Sequence, residues 1–236
     1  MSSPSRIPVL YDDDYYMAFE KPPGLLVIPS PKKEKYTLLN LVNKEFASPT
    51  REGRLHPCHR LDRDTSGVIL FAKGKKNQKA MMEEFKKRRV RKTYIAFVQG
   101  RLKNSAGEIR DRIRDPFKAR PDAFLQNARV GARFHKRAPL QWAITRYRVL
   151  ETKKDFSILE VCPITGRTNQ IRIHLSRMGH PVVGERQYAF GRDYPVKFRR
   201  TALHASSLRW MHPVYKREIR IHSPLPEDMK KFLERN

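Results

Sequence analysis

Two aspartates, Asp62 and Asp64, stand two residues apart in the sequence HRLDRDTSG at residues 59–67. The apolar run at residues 68–72 follows at once, and its β-branched and aromatic residues predict a buried strand. A loop held by a rigid strand is a common place for reactive groups, and arginines on both sides of Asp62 favour an ionised carboxylate. Asp, Thr and Ser also form turns and caps, so a catalytic carboxylate and a purely structural turn both remain open at this point.

A second stretch, residues 163–181, predicts a helix whose polar side carries cations. Thr168 is the predicted cap, and Gly179 marks the end. Arg172 lies beside Asn169 on this helix and away from the centre of its apolar stripe. For any one of Arg167, Arg172 and Arg177, a solvated surface charge is the better explanation from the spacing alone, which assigns them no function.

The charge balance of the chain predicts a polyanionic partner. The 236 residues include 50 Lys and Arg against 24 Asp and Glu, a net charge of +26 that no single tail carries. Such an excess is typical of nucleic-acid binding, because neutralising phosphates releases condensed counterions. Acidic lipid is the competing partner, but the sequence has no lipidation signal. We therefore predict a nucleic acid as the partner and no membrane, and the composition implies no protein partner.

The sequence also limits the cell compartment and the metal content. No apolar run approaches the roughly 20 residues of a spanning helix, and residues 1–8 lack the apolar core of a secretory signal. Two cysteines, Cys58 and Cys162, fit reduced thiols and a cytoplasmic location. His56 and His59 lie close to Cys58, but their spacing matches no zinc pattern, so we predict no metal site.

The order of elements predicts an α+β fold with a mixed, largely antiparallel central β-sheet flanked by helices and loops. We expect residues 1–11 to be a loose amino-terminal segment and residues 12–236 to be a single domain. The polar, basic stretch at 104–139 is interpreted as short strands and loops that cover a bound polyanion. Predicted strands lie near residues 9–11, 15–19, 25–28, 68–72, 93–99, 142–150, 156–161, 202–208 and 217–222. The aromatic residues Trp142, Phe156 and Trp210 are predicted to be core.

Several stretches, in this order along the chain, resemble the RluA-type family of RNA pseudouridine synthases. They are KPPG at 21–24, HRLDRDTSG at 59–67, KTY at 92–94, GRTNQIRIHL at 166–175, GHP at 179–181 and LHA at 203–205. The resemblance extends from about residue 12 to residue 224. It implies a pseudouridine synthase-like catalytic fold without a separate amino-terminal RNA-binding module.

The resemblance also implies a reaction and residue roles. The enzyme would cleave the glycosidic bond of a uridine in structured RNA, ribosomal or transfer, and rejoin the base through carbon, with neither metal nor organic cofactor. Asp62 would be the catalytic carboxylate, Arg172 would pair with it, and Tyr94 would pack against the flipped base. Arg60 would enter the base stack in place of the extruded nucleotide. Whether Asp62 attacks the sugar or removes a proton from it is left open.

Three expectations follow for binding and for charge. We expect Arg172 to lower the pKa of Asp62, since a nearby cation favours the charged carboxylate. Asn169 stands where the family usually has His, which implies a changed local contact. The predicted RNA contacts are Arg60, Arg167, Asn169, Arg133, Lys136 and Arg137.

Two other functions compete with this interpretation. A metal-dependent nuclease would use Asp62 and Asp64 as ligands of two ions, but side chains two residues apart on extended backbone point apart. A catalytically inactive RNA-binding or chaperone protein would keep the basic surface and lose the chemistry. Treating RNA with the wild type and with Asp62→Asn distinguishes the three, because only the enzyme makes pseudouridine in an Asp62-dependent way.

Overall fold

The computed structural model describes residues 6–30, 34–47, 53–114, 139–189 and 194–236. Within these ranges the strands are β1 Val9–Asp12, β2 Tyr16–Lys21, β3 Leu55–Pro57, β4 Ser66–Lys73, β5 Arg91–Gln99, β6 Ala106–Arg114, β7 Leu140–Thr152, β8 Phe156–Pro163, β9 Leu203–Met211 and β10 Glu218–His222. The helices described are α1 Leu38–Phe46, α2 Gly74–Lys86, α3 Gln170–Arg177 and α4 Glu227–Glu234.

All ten strands belong to one sheet with the order β1-β2-β4-β9-β5-β8-β7-β6, to which β3 adds at β4 and β10 adds at β9. Every strand pair is antiparallel except β4 with β9, which is parallel. The predicted α+β class with a mixed, largely antiparallel sheet is confirmed.

Strand β4 is buried on both faces and carries the loop of the two aspartates at its start. Its side chains alternate between two apolar clusters, with Ile69 and Phe71 in one and Val68 and Leu70 in the other. The parallel pairing with β9 brings Gly67 against Ala205 so closely that a Cβ atom at position 67 would overlap the Ala205 carbonyl. The φ of +110° at Gly67 also favours glycine, so this residue fixes where the loop ends and the strand begins.

Several predicted element boundaries were wrong. Residues 25–28 form no strand; instead the carbonyls of Leu26 and Val27 accept hydrogen bonds from the amides of residues 38 and 39, where α1 begins. The strand predicted at residues 9–11, inside the segment 1–11, is confirmed as part of β1. Helix α3 is capped at Asn169 and not at Thr168.

Phe156 and Trp210 are core residues as predicted, but Trp142 is not. The Trp142 side chain is 55% exposed and lies under the guanidinium of Arg112. On β7 the inward positions belong to Ala143 and the alternate residues that follow it, which leaves Trp142 on the solvent side.

Candidate active site

A cleft of about 500 Å³ opens where the aspartate loop, the start of β5 and the start of α3 meet. Asp62, Tyr94, Arg60, Arg167 and Asn169 all line it. These residues come from three separate parts of the chain, and the sheet order brings them together because β5 is next to β9, and β9 is next to β4.

The KPPG turn holds the aspartate loop in place. Lys21, the last residue of β2, is fully buried, and its Nζ donates to the carbonyls of Pro22 at 2.8 Å, Leu25 at 2.7 Å and Arg63 at 2.9 Å. The Gly24 amide donates to the same Arg63 carbonyl at 2.9 Å. Burial lowers the pKa of Lys21 to about 7, while three acceptors match the three donors of the protonated amine. The loop is thus fixed at the residue next to Asp62.

Asp62 is largely buried, with 23% of its side chain exposed, and its Oδ2 lies 3.5 Å from Nη1 of Arg172. Burial raises the pKa of Asp62 above its usual range, and this effect outweighs the opposing influence of Arg172, Arg60 and Lys21. The expectation that Arg172 would lower this pKa was therefore wrong in its net direction. The cause is desolvation, which disfavours the charged form and is not compensated by Arg172 at 3.5 Å together with the other two cations.

Arg172 is bound more tightly to Glu185 than to Asp62. Its Nε and Nη2 donate to the two oxygens of Glu185 at 2.6 and 2.8 Å, and the Glu185 side chain has no exposed surface. Glu185 also accepts from the amides of Gln187 at 2.8 Å and Tyr188 at 3.1 Å. Although burial alone would raise the pKa of Glu185, these partners lower it. Glu185 thus holds the guanidinium that faces Asp62.

Asn169 contributes to the same arrangement. Its Oδ1 accepts from Nη1 of Arg172 at 3.1 Å, and its Nδ2 donates to the hydroxyl of Tyr188 at 2.8 Å. The guanidinium carbon of Arg172 lies 5.2 Å from the centre of the Tyr188 ring, within cation–π range. The φ of +53° at Asn169 is a left-handed conformation that Asn tolerates better than most residues. Asn169 therefore orients Arg172 as well as lining the cleft.

Gln170 fixes the start of α3 against β7. Its Oε1 accepts from the hydroxyl of Thr165 at 2.6 Å and from the amide of Arg167 at 3.0 Å, while its Nε2 donates to the Ile144 carbonyl and the Thr145 hydroxyl, both at 2.9 Å. All four bonds of the side-chain amide are made in a nearly buried position. The helix that carries Arg172 is positioned by this amide.

Tyr94 is the aromatic ring of the cleft. It is buried on β5, opposite Ala205 of β9 and Val161 of β8. Burial and, after it, the charge of Asp62 raise the pKa of the phenol, so the hydroxyl stays protonated at neutral pH. The predicted trio of Asp62, Tyr94 and Arg172 therefore meets at one place.

A sequence model of a protein family described as RNA pseudouridylate synthase matches residues 15–177, more than half of the chain. The chain belongs to this family. The ribosomal large subunit pseudouridine synthase D of Xylella fastidiosa is 33% identical over 98% of this chain and 70% of its own length. The dual-specificity RNA pseudouridine synthase RluA of Vibrio cholerae is 33% identical over 88% of this chain and 78% of its own. The solved structure of human RNA pseudouridylate synthase domain containing 4 has a TM-score of 0.74 and 26% identity, covering 96% of this chain and 92% of that one.

In this pseudouridine synthase family member, the remaining residues discussed from the sequence each have their own contacts. Arg60 is exposed on the cleft, and Arg167 donates from Nε to the Trp142 carbonyl at 3.2 Å. His59 is held neutral, because its Nε2 accepts from the Leu70 amide at 3.1 Å and burial, followed by the nearby Lys92, lowers its pKa to about 3. The predicted RNA contacts Arg133, Lys136 and Arg137 lie outside the described residues.

Three residues near the reacting centre were not recognised from the sequence. Glu185 and Tyr188 lie beyond the matched family range, in the turn that follows α3. Lys92 appeared only as a motif letter, yet it lines the cleft, and burial lowers its pKa to about 8. The available signal in the sequence was an acidic residue directly after a glycine, Gly184, and in the structure this glycine has a φ of +80°.

The described residues contain no group of three or more His, Cys, Asp or Glu side chains placed to hold a metal ion. In the same part of the chain, no helix has both the length and the apolar character needed to cross a bilayer. Cys58 and Cys162 are both free thiols.

Proposed function

We propose that this protein converts specific uridines of structured RNA, ribosomal or transfer, into pseudouridine, with Asp62 as the catalytic carboxylate. The observation that carries the proposal is the position of Asp62 in a cleft, 3.5 Å from Arg172 and beside the buried Tyr94. Membership of the RNA pseudouridylate synthase family supports the reaction class. The names of two relatives, one for the ribosomal large subunit and one for dual specificity, support the RNA classes.

The reaction conserves every atom of the substrate. The bond between N1 of uracil and C1′ of the ribose breaks, the base turns, and a bond forms between C5 and C1′. A proton leaves C5, and a proton is taken up at N1. No oxidant, reductant or co-reactant is needed. The tasks left to the protein are to extrude the nucleotide, to hold the detached base and to assist the reaction at the sugar.

Asp62 serves the sugar step in its ionised form. As a nucleophile it adds to C1′, and as a base it removes a proton from the ribose; both routes need the negative charge. Arg172 stabilises this charge, while burial keeps the pKa of Asp62 above the usual aspartate range and so keeps the carboxylate basic. Catalysis should therefore rise with pH through an acid limb that lies above the ordinary aspartate value of about 3.9.

Tyr94 and Arg60 act on the base and on the stack it leaves. Extruding a nucleotide costs a few kcal/mol, which stacking on an aromatic ring and insertion of a guanidinium offset. Tyr94 lies in the cleft beside Asp62, and Arg60 is exposed at the same cleft. The extruded uracil then lies between the reacting carboxylate and the ring of Tyr94.

The proposal is tested by incubating transcribed ribosomal and transfer RNA with wild type, Asp62→Asn and Asp64→Asn. Asp64 is the matched control, because it lies in the same loop and its side chain is exposed. Wild type and Asp64→Asn should form pseudouridine, detected as carbodiimide adducts that stop reverse transcription, and Asp62→Asn should bind RNA without forming it. RNA cleavage that chelators abolish would support the nuclease instead, and binding without pseudouridine by wild type would support the inactive binder.

A further inference from the structure

The opposite face of the sheet carries a second, larger groove of about 1210 Å³. Its position follows from the alternation of β5, since Tyr94 lines the catalytic cleft while Thr93 and Ile95 line the groove. Among the described residues that line it are seven Lys or Arg and a single acid, Glu160. A groove with this excess of cations attracts a polyanion.

Three arginines of the groove lie directly opposite one another on adjacent strands. Arg91 of β5 pairs in register with Arg209 of β9, and Arg209 pairs with Arg220 of β10. Directly opposite residues of antiparallel strands point to the same face, with Cα atoms roughly 4.5–5.5 Å apart. Like charges in such positions destabilise a sheet. Arg209 also pairs with Glu218 of β10 at 3.5 Å, but one acid does not balance three arginines. Fold stability therefore accounts for only part of this row, whereas a bound anion would turn the remaining repulsion into attraction.

Two more arginines extend the basic surface on β7. Arg146 and Arg148 are two residues apart and both mostly exposed, so they share a face of the sheet with Cys162 and Glu160 of β8, which they oppose. Glu160 accepts from Arg148 at 3.2 Å, and Arg146 is paired with Glu108 at 2.8 Å. Arginines thus border the groove on one side along β10, β9 and β5, and on the other side, beyond β8, along β7.

The floor of the groove indicates which part of an RNA it would contact. Ile95, Ile158 and Thr93 line it, while its aromatic residues Phe97 and Tyr147 are buried. Bases of single-stranded RNA are usually held by exposed aromatic rings, and phosphates by arginines. The lining therefore favours the sugar–phosphate backbone over the bases, which gives binding without sequence preference.

The groove is continuous with the catalytic cleft. Arg88, Val90, Lys92, Pro163 and Ile164 line both. An RNA strand that enters the cleft can therefore pass around the start of β5 and reach the row of Arg91, Arg209 and Arg220.

We propose that this second face is an RNA-binding groove that holds the phosphate backbone of the substrate at a distance from the target uridine. The inference rests on the proposed function, because it concerns the same RNA. It predicts that affinity depends on RNA length, and that a longer substrate is held by the groove in addition to the cleft.

The test uses the protein with Asp62→Asn, which prevents turnover, and adds Arg91→Gln, Arg209→Gln and Arg220→Gln together. The matched control carries Lys75→Gln, Lys76→Gln and Lys79→Gln, which removes three exposed charges from α2. The probes are labelled oligouridines of 8 and 30 nucleotides, titrated at several salt concentrations. Each lost phosphate contact to a single strand lowers the salt slope by about 0.7, so the triple groove variant should lose about 2 from its slope for the 30-mer. Between 50 and 200 mM salt, the parent should then lose about 16-fold more affinity than the variant.

The groove variant should lose less of its salt slope for the 8-mer than for the 30-mer, because the short RNA reaches fewer of the arginines. Its stability in urea should stay within about 1 kcal/mol of the parent, because the variant removes both the like-charge row and the partly exposed Arg209–Glu218 pair. An unchanged slope for the 30-mer, or an equal loss in groove variant and control, overturns the proposal. Pseudouridine formation by the protein with intact Asp62 is measured separately. Its absence together with a reduced slope would reject the proposed function and keep the groove.

Discussion

Replacing Glu185 by Gln tests the claim that a buried carboxylate holds Arg172 in position beside Asp62. Gln keeps the shape of the side chain and one acceptor oxygen, but it removes the charge that faces Arg172 at 2.6 and 2.8 Å and replaces one acceptor with an NH2 group. Removing one partner of a buried ion pair costs about 3–5 kcal/mol, and we expect about 2–3 kcal/mol here because the amide still hydrogen-bonds. For a domain of this size, that lowers the melting temperature by about 4–12 °C.

The matched control is Glu160→Gln. Glu160 also pairs with an arginine, Arg148 at 3.2 Å, but the two side chains are 34% and 62% exposed. Exposed pairs contribute about 0–1 kcal/mol, so this variant should unfold almost as wild type does in urea.

The stabilising effect of Glu185 should also shrink as the pH falls. Its pKa is lowered in the fold, so its contribution is present above the ordinary Glu value and is lost on acidification through the folded-state value.

The same variant should change the pH dependence of catalysis. Without the competing carboxylate, Arg172 donates fully to Asp62, and the negative charge near Asp62 disappears. Both effects favour ionised Asp62, so the acid limb of the pH–rate profile should move to lower pH. An acid limb that stays in place or moves to higher pH, or a stability loss no larger than that of Glu160→Gln, would refute this account of Arg172.

Three further changes test the scaffold. Gln170→Leu removes four hydrogen bonds from a nearly buried site and should cost about 3 kcal/mol in urea unfolding; a wild-type midpoint would contradict the role of this amide at the start of α3. Gly67→Ala places a Cβ against the Ala205 carbonyl at a positive φ, so little soluble protein should be obtained. A normally folded variant would show that β4 and β9 do not approach each other as described. Tyr94→Phe keeps the ring and its packing, so it should alter stability by less than about 1 kcal/mol. It removes a protonated hydroxyl near Asp62 that can hydrogen-bond to the detached base, so pseudouridine formation should slow; an unchanged rate would leave Tyr94 with stacking alone.

The sequence predicted the parts of the fold that depend on local pattern. The apolar run of β4 and the alternation of β5 and β8 are visible in the residues, and so is the turn at the KPPG motif. The false strand at residues 25–28 shows the limit. Leu25 and Val27 are buried as a strand pattern requires, but their segment bonds to the start of α1 instead of to a neighbouring strand.

The candidate site was predictable as far as the resemblance specified it. Asp62, Tyr94 and Arg172 all lie in motifs that carry the resemblance, and the structure brings the three side chains together. Glu185 was missed because its contact with Arg172 depends on how the turn after α3 packs, which periodicity does not reveal. The direction of the Asp62 pKa was missed for a related reason, since it depends on how much water the folded cleft excludes.

The single-turnover rate of pseudouridine formation by Asp62→Asn, relative to Asp64→Asn, tests the central claim most directly. The enzyme and one transcribed RNA are mixed with the protein in excess, and the modified fraction is followed in time. We predict a loss of at least about 10²-fold for Asp62→Asn and a rate close to wild type for Asp64→Asn. Comparable rates for the two variants would show that the carboxylate beside Arg172 and Tyr94 is not the group on which the reaction depends.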